Sequence, residues 1–384
     1  MFYHLGHKEL YPNTFILLQG QPASRKSTAI SIGTRLLKAT GYARFASDRM
    51  SRQTFLDEMA RINQPDNMGI PLEQQFEMPL DYPYEMTVHA NEFIDFIGQN
   101  DKDYLMLLTN LYDNLPEYSN PKLSSKSVIV RKPTINFIGG STPENLNMAF
   151  PSTAMDTGTL SRILFIHSNP SPKKILIPQR PPHEAMVTML NWLAEIKKKV
   201  QGAFTITEDA LSALDYIYQN FEPLEDSRFS FYSGRRLDHL LKLSMIMAAT
   251  RLSTTMDIDD VVTANSILGV AEFSMHKALG HFGRSKQSTI MHSIIEYMET
   301  VGKPVVLKEL YTVFVSDFNK ETEFMSMIMD MQNSGRIRAV NIGTEEVRKP
   351  AFEVVKKKLP KWIAQMIVPD VLTDQELHSV GMTR

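Results

Sequence analysis

The 384-residue chain contains no cysteine. That absence excludes disulfides, cysteine-ligated zinc and a thiol nucleophile, and it fits a reducing compartment, so a cytoplasmic protein is expected. Also missing is any apolar run near the roughly 20 residues that cross a bilayer. The opening residues, MFYHLGHKEL, lack the charged-then-apolar order of a secretion signal, so no membrane segment is expected. Neither sign of charge predominates. Lys and Arg number 41 against 43 Asp and Glu, a formal net charge of −2, which argues against a protein that coats nucleic acid by bulk charge. Any nucleic-acid contact must be local. The 21 Pro and 18 Gly form no low-complexity tract, and no repeat has solenoid spacing, so collagen-like, linker-like and solenoid architectures fall away.

What is present is a globular composition, with 43% hydrophobic and 22% charged residues, enough to bury a core in two or three domains. Residues 1–168 alternate apolar strand-like runs (TFILLQ, YARFAS, EMTVHA, TINFIGG, RILFIHS) with helical stretches. That alternation predicts an α/β layer with a mainly parallel sheet flanked by helices. A Pro-rich linker occupies 169–182, where prolines fix φ and remove amide donors. Residues 183–284 show apolar residues at three-and-four spacing and read as an all-α lid. Residues 285–358 read as three short helices followed by a two-stranded hairpin, a winged helix, and 359–384 as a tail without a clear role. The basic clusters Lys197–Lys199 and Lys356–Lys358 fall on helix-like stretches, where a solvated face is the plain explanation.

The strongest chemical signal is GQPASRKST, Gly20 to Thr28, between the strand TFILLQ and the helical AISIGTRLLKAT. A strand-to-helix loop aims backbone amides and the positive helix end at a phosphate. Gly20, Pro22, Ala23, Ser24, Arg25, Lys26, Ser27 and Thr28 are therefore the candidate ATP-binding residues, with Lys26 reaching the β and γ phosphates and Ser27 holding Mg2+. Arg25 stands where G-x-x-x-x-G-K-[ST] has its second glycine. It is expected to take up the helical φ/ψ of a first turn and to fill space beside the phosphates. An ordinary loop rich in small residues is the bland reading.

Further candidates follow in chain order. EMTVHA ends at Asn91 and Glu92, and a carboxylate at the end of a neighbouring strand can activate water, whereas an amide at Asn91 can position a metal-bound water without supplying charge. Asp48 or Asp95 could compensate for that missing charge, and Glu92 could instead be a helix cap. After TINFIGG, Ser141 and Thr142 can orient water or sense the γ phosphate, or form a plain Ser-Thr-Pro turn. Arg162, before the last strand, is expected on an outer face, either to stabilise phosphoryl transfer in a neighbouring subunit or to make a surface salt bridge. Arg235 and Arg236 open a helix, where cations are unfavourable unless an anion answers them. Lys122, Lys126, Arg131 and Lys132 lie on a possible hairpin that could touch a nucleic-acid backbone, or simply be solvated.

Taken in order, GQPASRKST, VHANEF, FIGGSTPENL, GTLSRILF and SGRRLDHLLKLSMIMAATRLSTTMDIDDVVTANSIL resemble the AAA+ superfamily of P-loop ATPases. The likeness covers about residues 14–275 and is to the MCM-like replicative helicases and the primase-helicase ATPase modules of phages and mobile elements. The resemblance implies that Lys26 and Ser27 bind ATP and magnesium, Glu92 activates water, Thr142 is sensor 1, and Arg162 with Arg235 or Arg236 acts across subunit interfaces. The lid string is similar to one in which an arginine opens a helix leading to a second helix with an acidic start, here Asp257–Asp260. The implied function is an ATP-dependent DNA helicase or translocase in phage or mobile-element replication, a hexameric ring on single-stranded DNA, working with other replication proteins. Because the loop begins at residue 20, no N-terminal DNA-binding or primase domain is expected. Two alternatives stay open: an AAA+ remodeller or loader acting on proteins, and an ATP-binding scaffold with little turnover.

Overall fold

The computed structural model describes residues 1–64, 82–120, 128–150, 158–167, 176–177, 181–224, 226–279, 286–342 and 349–355. They divide into two units, one within 1–282 and one within 283–359, and each is described by itself.

The first unit is α/β. It opens with a hairpin, β1 (Phe2–Leu5) and β2 (Lys8–Leu10), then β3 (Phe15–Gln19), α1 (Lys26–Ala39) and α2 (Arg52–Ile62). Next come β4 (Glu85–Ala90), α3 (Phe93–Ile97), α4 (Lys102–Tyr112), the hairpin β5 (Glu117–Asn120) and β6 (Val128–Arg131), β7 (Thr134–Ser141), α5 (Pro143–Ala149) and β8 (Ile163–His167). Four of these strands form a wholly parallel sheet in the order β4-β7-β3-β8, in register Phe15↔Phe137 and Phe15↔Ile163. Strands covered on both faces read as continuous apolar runs, which is why FILLQ and ILFIH show little alternation. Phe15, Leu17 and Phe137 face α3 and α4, and Phe137 meets Phe93 and Phe96 at ring distances of 5.5 and 5.7 Å. The opposite face carries α1, because a side chain at Gly140 would touch Ile30 at 3.5 Å.

YARFAS was expected as a sheet strand and is not one. Only Phe45 bridges Thr87 of β4, through Ala46 N to Thr87 O and Thr87 N to Arg44 O, both 2.9 Å. The run is short, it follows Gly41 at φ 80°, and it soon gives way to α2, capped by Ser51.

Residues 181–279 contain α6 (His183–Lys199), β9 (Ala203–Ile206), α7 (Glu208–Asn220), α8 (Ser230–Ser233), α9 (Arg236–Thr250), β10 (Thr255–Met256) and α10 (Ile258–Ala278). The expected all-α lid is therefore corrected. β9 and β10 join β1 and β2 in a second sheet, ordered β10-β9-β1-β2. AFTI and TM are too short for periodicity to reveal: Ala203 and Phe204 pair with Phe2 and Tyr3 some 200 positions away in sequence, and Thr255 and Met256 pair in turn with Thr205 and Ile206. α10 starts in a capping box, Asp257 with Asp260, and Arg251 pairs with both carboxylates.

The second unit runs α11 (Lys286–Val301), β11 (Val305–Val306), α12 (Leu307–Phe314), α13 (Glu321–Asn333), β12 (Ile337–Ile342) and β13 (Lys349–Val354). β12 and β13 pair antiparallel, and β11 adds a strand beyond the expected hairpin, giving the order β11-β13-β12. Ile294, Leu310, Phe324, Met331, Ile337 and Phe352 close its core. Among the described residues no helix is long and apolar enough to cross a membrane.

Candidate functional site

β3 ends at fully buried Gln19, and the chain then turns through Gly20–Arg25 into α1. Two non-glycine residues of this turn lie in the left-handed region, Ala23 at φ 67° and Arg25 at φ 64°. The helical first-turn conformation expected of Arg25 is thus corrected: Arg25 is the N-cap of α1 and adopts the αL geometry that glycine provides at no steric cost. Strain of this kind persists only where surrounding structure fixes it, and it clusters at ligand clamps.

Lys26 folds back over the turn. Its ammonium donates to Gly20 O at 2.7 Å, Gln21 O at 3.1 Å and Ser24 Oγ at 3.2 Å, so three acceptors meet its three N–H groups. No side chain caps α1, which leaves the amides of its first turn facing outward beside the exposed Ser27 and Thr28. A cation, uncapped helix amides and two hydroxyls are the kinds of group that anion binding at a helix start uses.

The neighbouring strand ends close on this turn. Gly20 N donates to Ser141 O at 3.3 Å, and Gly140 lies so close to Asn91 that an added Cβ would be 2.6 Å from Asn91 O. Asn91 is exposed and Glu92 half-buried directly after β4. Glu92 occupies the N-cap position of α3 but caps nothing with its side chain. Instead its Oε2 accepts from Asn145 Nδ2 at 3.2 Å. Thr142 does act as a cap: its Oγ1 accepts from Asn145 N at 3.2 Å, so the Ser-Thr-Pro turn is a helix start. Ser141 is buried, with its hydroxyl donating to Thr142 O. Asp48 and Asp95 are both exposed. Burial lowers the pKa of His89, and Asp48 opposes that shift, which sets Asp48 beside β4.

The arginines lie elsewhere. Arg162 precedes Ile163, which pairs with Phe15 at the start of β3, whereas the Lys26 turn follows its end. The expected outer-face position of Arg162 is corrected, for it is 8% exposed, donates to Gly158 O at 2.8 Å and to Asp113, and lies over the Tyr112 ring. Arg235 also binds Asp113, from Nη1 to Oδ1 at 2.9 Å. Burial works against the Asp113 charge, but hydrogen bonds from Arg162 and then Arg235 prevail and hold its pKa below the usual range. Arg236 is corrected as a phosphate ligand. It is fully buried, donates to Glu272 at 2.6 Å and to Asn265 at 2.9 Å, and stacks on Phe221 at 4.6 Å.

Two further buried groups on α9 escaped sequence reasoning. His239 Nε2 meets Ser161 O at 2.8 Å, and burial pushes its pKa down to about 4. Lys242 Nζ donates to Asn13 O and Oδ1 at 2.9 and 2.8 Å, lies 3.9 Å from the Tyr112 ring centre, and is pushed by burial to about 7. The spacing 235, 238, 239, 242 is one helix face, so a polar stripe within an apolar helix was the signal available.

Of the four hairpin cations, Lys122 and Lys126 lie outside the described residues. Arg131 ends β6 on the exposed side, and Lys132, at φ 38°, pairs with Glu9 at 3.3 Å. No family model matches this chain, and no curated protein matches it.

Proposed function

We propose that this chain is a P-loop ATPase of the AAA+ type, and that it hydrolyses ATP to drive movement along, or opening of, DNA. One observation carries this reading. Lys26, Glu92 and Thr142 follow the C-terminal ends of β3, β4 and β7, three neighbouring strands of one parallel sheet, which is where ligands of open α/β sheets bind.

In this reading the first-turn amides of α1 and the Lys26 ammonium bind the β and γ phosphates. Lys26 exchanges the carbonyls of Gly20 and Gln21 for phosphate oxygens. Ser27 would hold a magnesium ion, with Asn91 reaching one of its waters, and that ion would supply charge neutralisation at the phosphates. Glu92, oriented by Asn145, accepts a proton from the attacking water, and the Thr142 hydroxyl keeps its own proton to donate to the γ phosphate. Charge developing on the transferred group needs a further cation. Arg162 is buried, and Arg235, the more exposed of the two arginines on Asp113, cannot reach its own Lys26 turn, because the five residues of β3 span about 16 Å between them. A second copy is the natural recipient, which supports a ring-shaped homo-oligomer such as a hexamer.

The test is ATP turnover by Lys26→Ala, with and without single-stranded DNA. Loss of turnover is expected, and stimulation of the unaltered protein by the DNA. Retained turnover in Lys26→Ala would remove the assignment.

A remodeller or loader acting on proteins is the second reading, favoured by α13. In a winged helix the third helix reads the groove, yet the exposed face of α13 carries Glu321, Glu323 and Asp330 and no Lys or Arg. Such a face repels phosphates, so the second unit is better suited to a protein than to a duplex.

A further inference from the structure

Asp113, Arg162 and Arg235 converge at the edge of the sheet opposite the Lys26 turn. Asp113 ends α4, Arg162 leads into β8 and Arg235 leads into α9. The two arginines are not equivalent. Arg162 is walled in: Gly158 stands at φ +71°, and a Cβ there would lie 3.0 Å from Arg162 Nη1. Arg235 has a side chain 27% exposed and uses two of the five N–H groups of a guanidinium on Asp113, at 2.9 and 3.4 Å.

Charge counting separates them further. Around the cluster stand Asp238, 3.8 Å from Arg235 and 3.5 Å from Lys8, together with Lys8 itself. Arg162, Arg235 and Lys8 against Asp113 and Asp238 leave one positive charge uncompensated, and nearby Lys242, 3.9 Å from the Tyr112 ring, adds a second whenever it is protonated. An anion can approach Arg235 but not Arg162.

We propose that Asp113 is a positioning residue which, with buried Arg162 as its counter-charge, aims half-exposed Arg235 at the phosphates of a nucleotide held by a second copy of the chain. The proposal rests on the ATPase reading and divides the work of the two arginines: Arg235 touches the phosphate, and Arg162 fixes Asp113. A free arginine would have to give up rotamer freedom on docking, whereas one already held across both carboxylate oxygens gives up little.

The experiment measures ATP turnover, affinity for a fluorescent non-hydrolysable ATP analogue and Tm in Arg235→Ala, Asp113→Asn, Asp113→Glu and the double variant Asp113→Asn/Arg235→Ala. Arg235→Ala is expected to lower kcat by roughly 1,000-fold, as loss of an arginine acting in trans does, with analogue affinity and Tm close to those of the unaltered protein. Asp113→Asn should lower kcat by about 10- to 100-fold, Asp113→Glu should restore part of it, and Asp113→Asn should have no further effect on kcat once Arg235 is alanine, because it acts through that side chain. If Asp113→Asn does not fold, Asp113→Glu carries the same comparison in both backgrounds.

Mixing Lys26→Ala chains with Arg235→Ala chains should regain turnover, since an intact Lys26 turn then meets an intact Arg235. The proposal is overturned if the Asp113 substitutions slow turnover equally in the presence and absence of Arg235, or if the mixture stays inactive while each variant binds its partner copies. Turnover retained by Lys26→Ala would instead sink the ATPase reading itself.

Discussion

The amide of Asn145 donates to the carboxylate of Glu92 at 3.2 Å, joining the first turn of α5 to the residue that follows β4. That hydrogen bond limits the rotation of the carboxylate, which suits a general base. On the proposed ATPase reading, replacing Asn145 with Ala is expected to lower kcat for ATP about 10-fold with little change in nucleotide affinity, since one orienting hydrogen bond is worth about 1.5 kcal/mol when one partner is charged. Steady-state kinetics beside Glu92→Gln checks it: unaltered kcat in Asn145→Ala would show that the pair has no part in turnover.

Arg25→Gly removes a left-handed non-glycine residue, a conformation that costs about 1–2 kcal/mol, and glycine returns part of that through its flexible unfolded chain. The expected net is a gain of about 0.5–1 kcal/mol in urea unfolding. A loss of stability would mean that the Arg25 side chain contributes more than its backbone strain takes away.

Arg236→Ala should be severe. It leaves the Glu272 carboxylate and the Asn265 amide oxygen buried without their cation, and breaking such a pair costs about 3–5 kcal/mol. Folded protein recovered at low temperature should still bind the ATP analogue normally. A selective loss of nucleotide affinity at unchanged Tm would return Arg236 to the phosphate site.

Lys242 and His239 give a pH signature. Both have folded pKa values pushed down by burial, to about 7 and about 4, so the unfolded chain binds more protons between those values and the ordinary ones. Stability is therefore expected to rise with pH from about 7 towards 10 through Lys242, and to fall as pH drops from about 6.5 to 4 through His239. Lys242→Met should flatten the alkaline slope and His239→Phe the acid one, as read from urea midpoints across pH. Unchanged slopes would mean that neither group is neutral in the folded protein.

Much of the fold was legible in local pattern. TFILLQ, EMTVHA, TINFIGG and RILFIHS are strands because apolar runs of that length, bounded by turn residues, have few other ways to bury themselves. The helix after Gly20–Arg25 and the acidic start of α10 were equally local, set by a strand-loop-helix turn and a capping box. YARFAS misled because its apolar content matches a strand while its only sheet contact is the bridge from Phe45 to Thr87.

The sequence by itself determined which side chains are candidates for chemistry: Lys26 and Ser27 after a buried strand, Glu92 and Thr142 after two others, and arginines ahead of β8 and α9. Only the tertiary structure decided which are accessible. Arg162 and Arg236 meet carboxylates at Asp113 and Glu272, 49 and 36 positions away, and burial turns them into structural cations. Pairing of that kind depends on long-range packing and on the cost of leaving a charge unpaired away from water, neither of which leaves a mark at the arginine's own place in the chain.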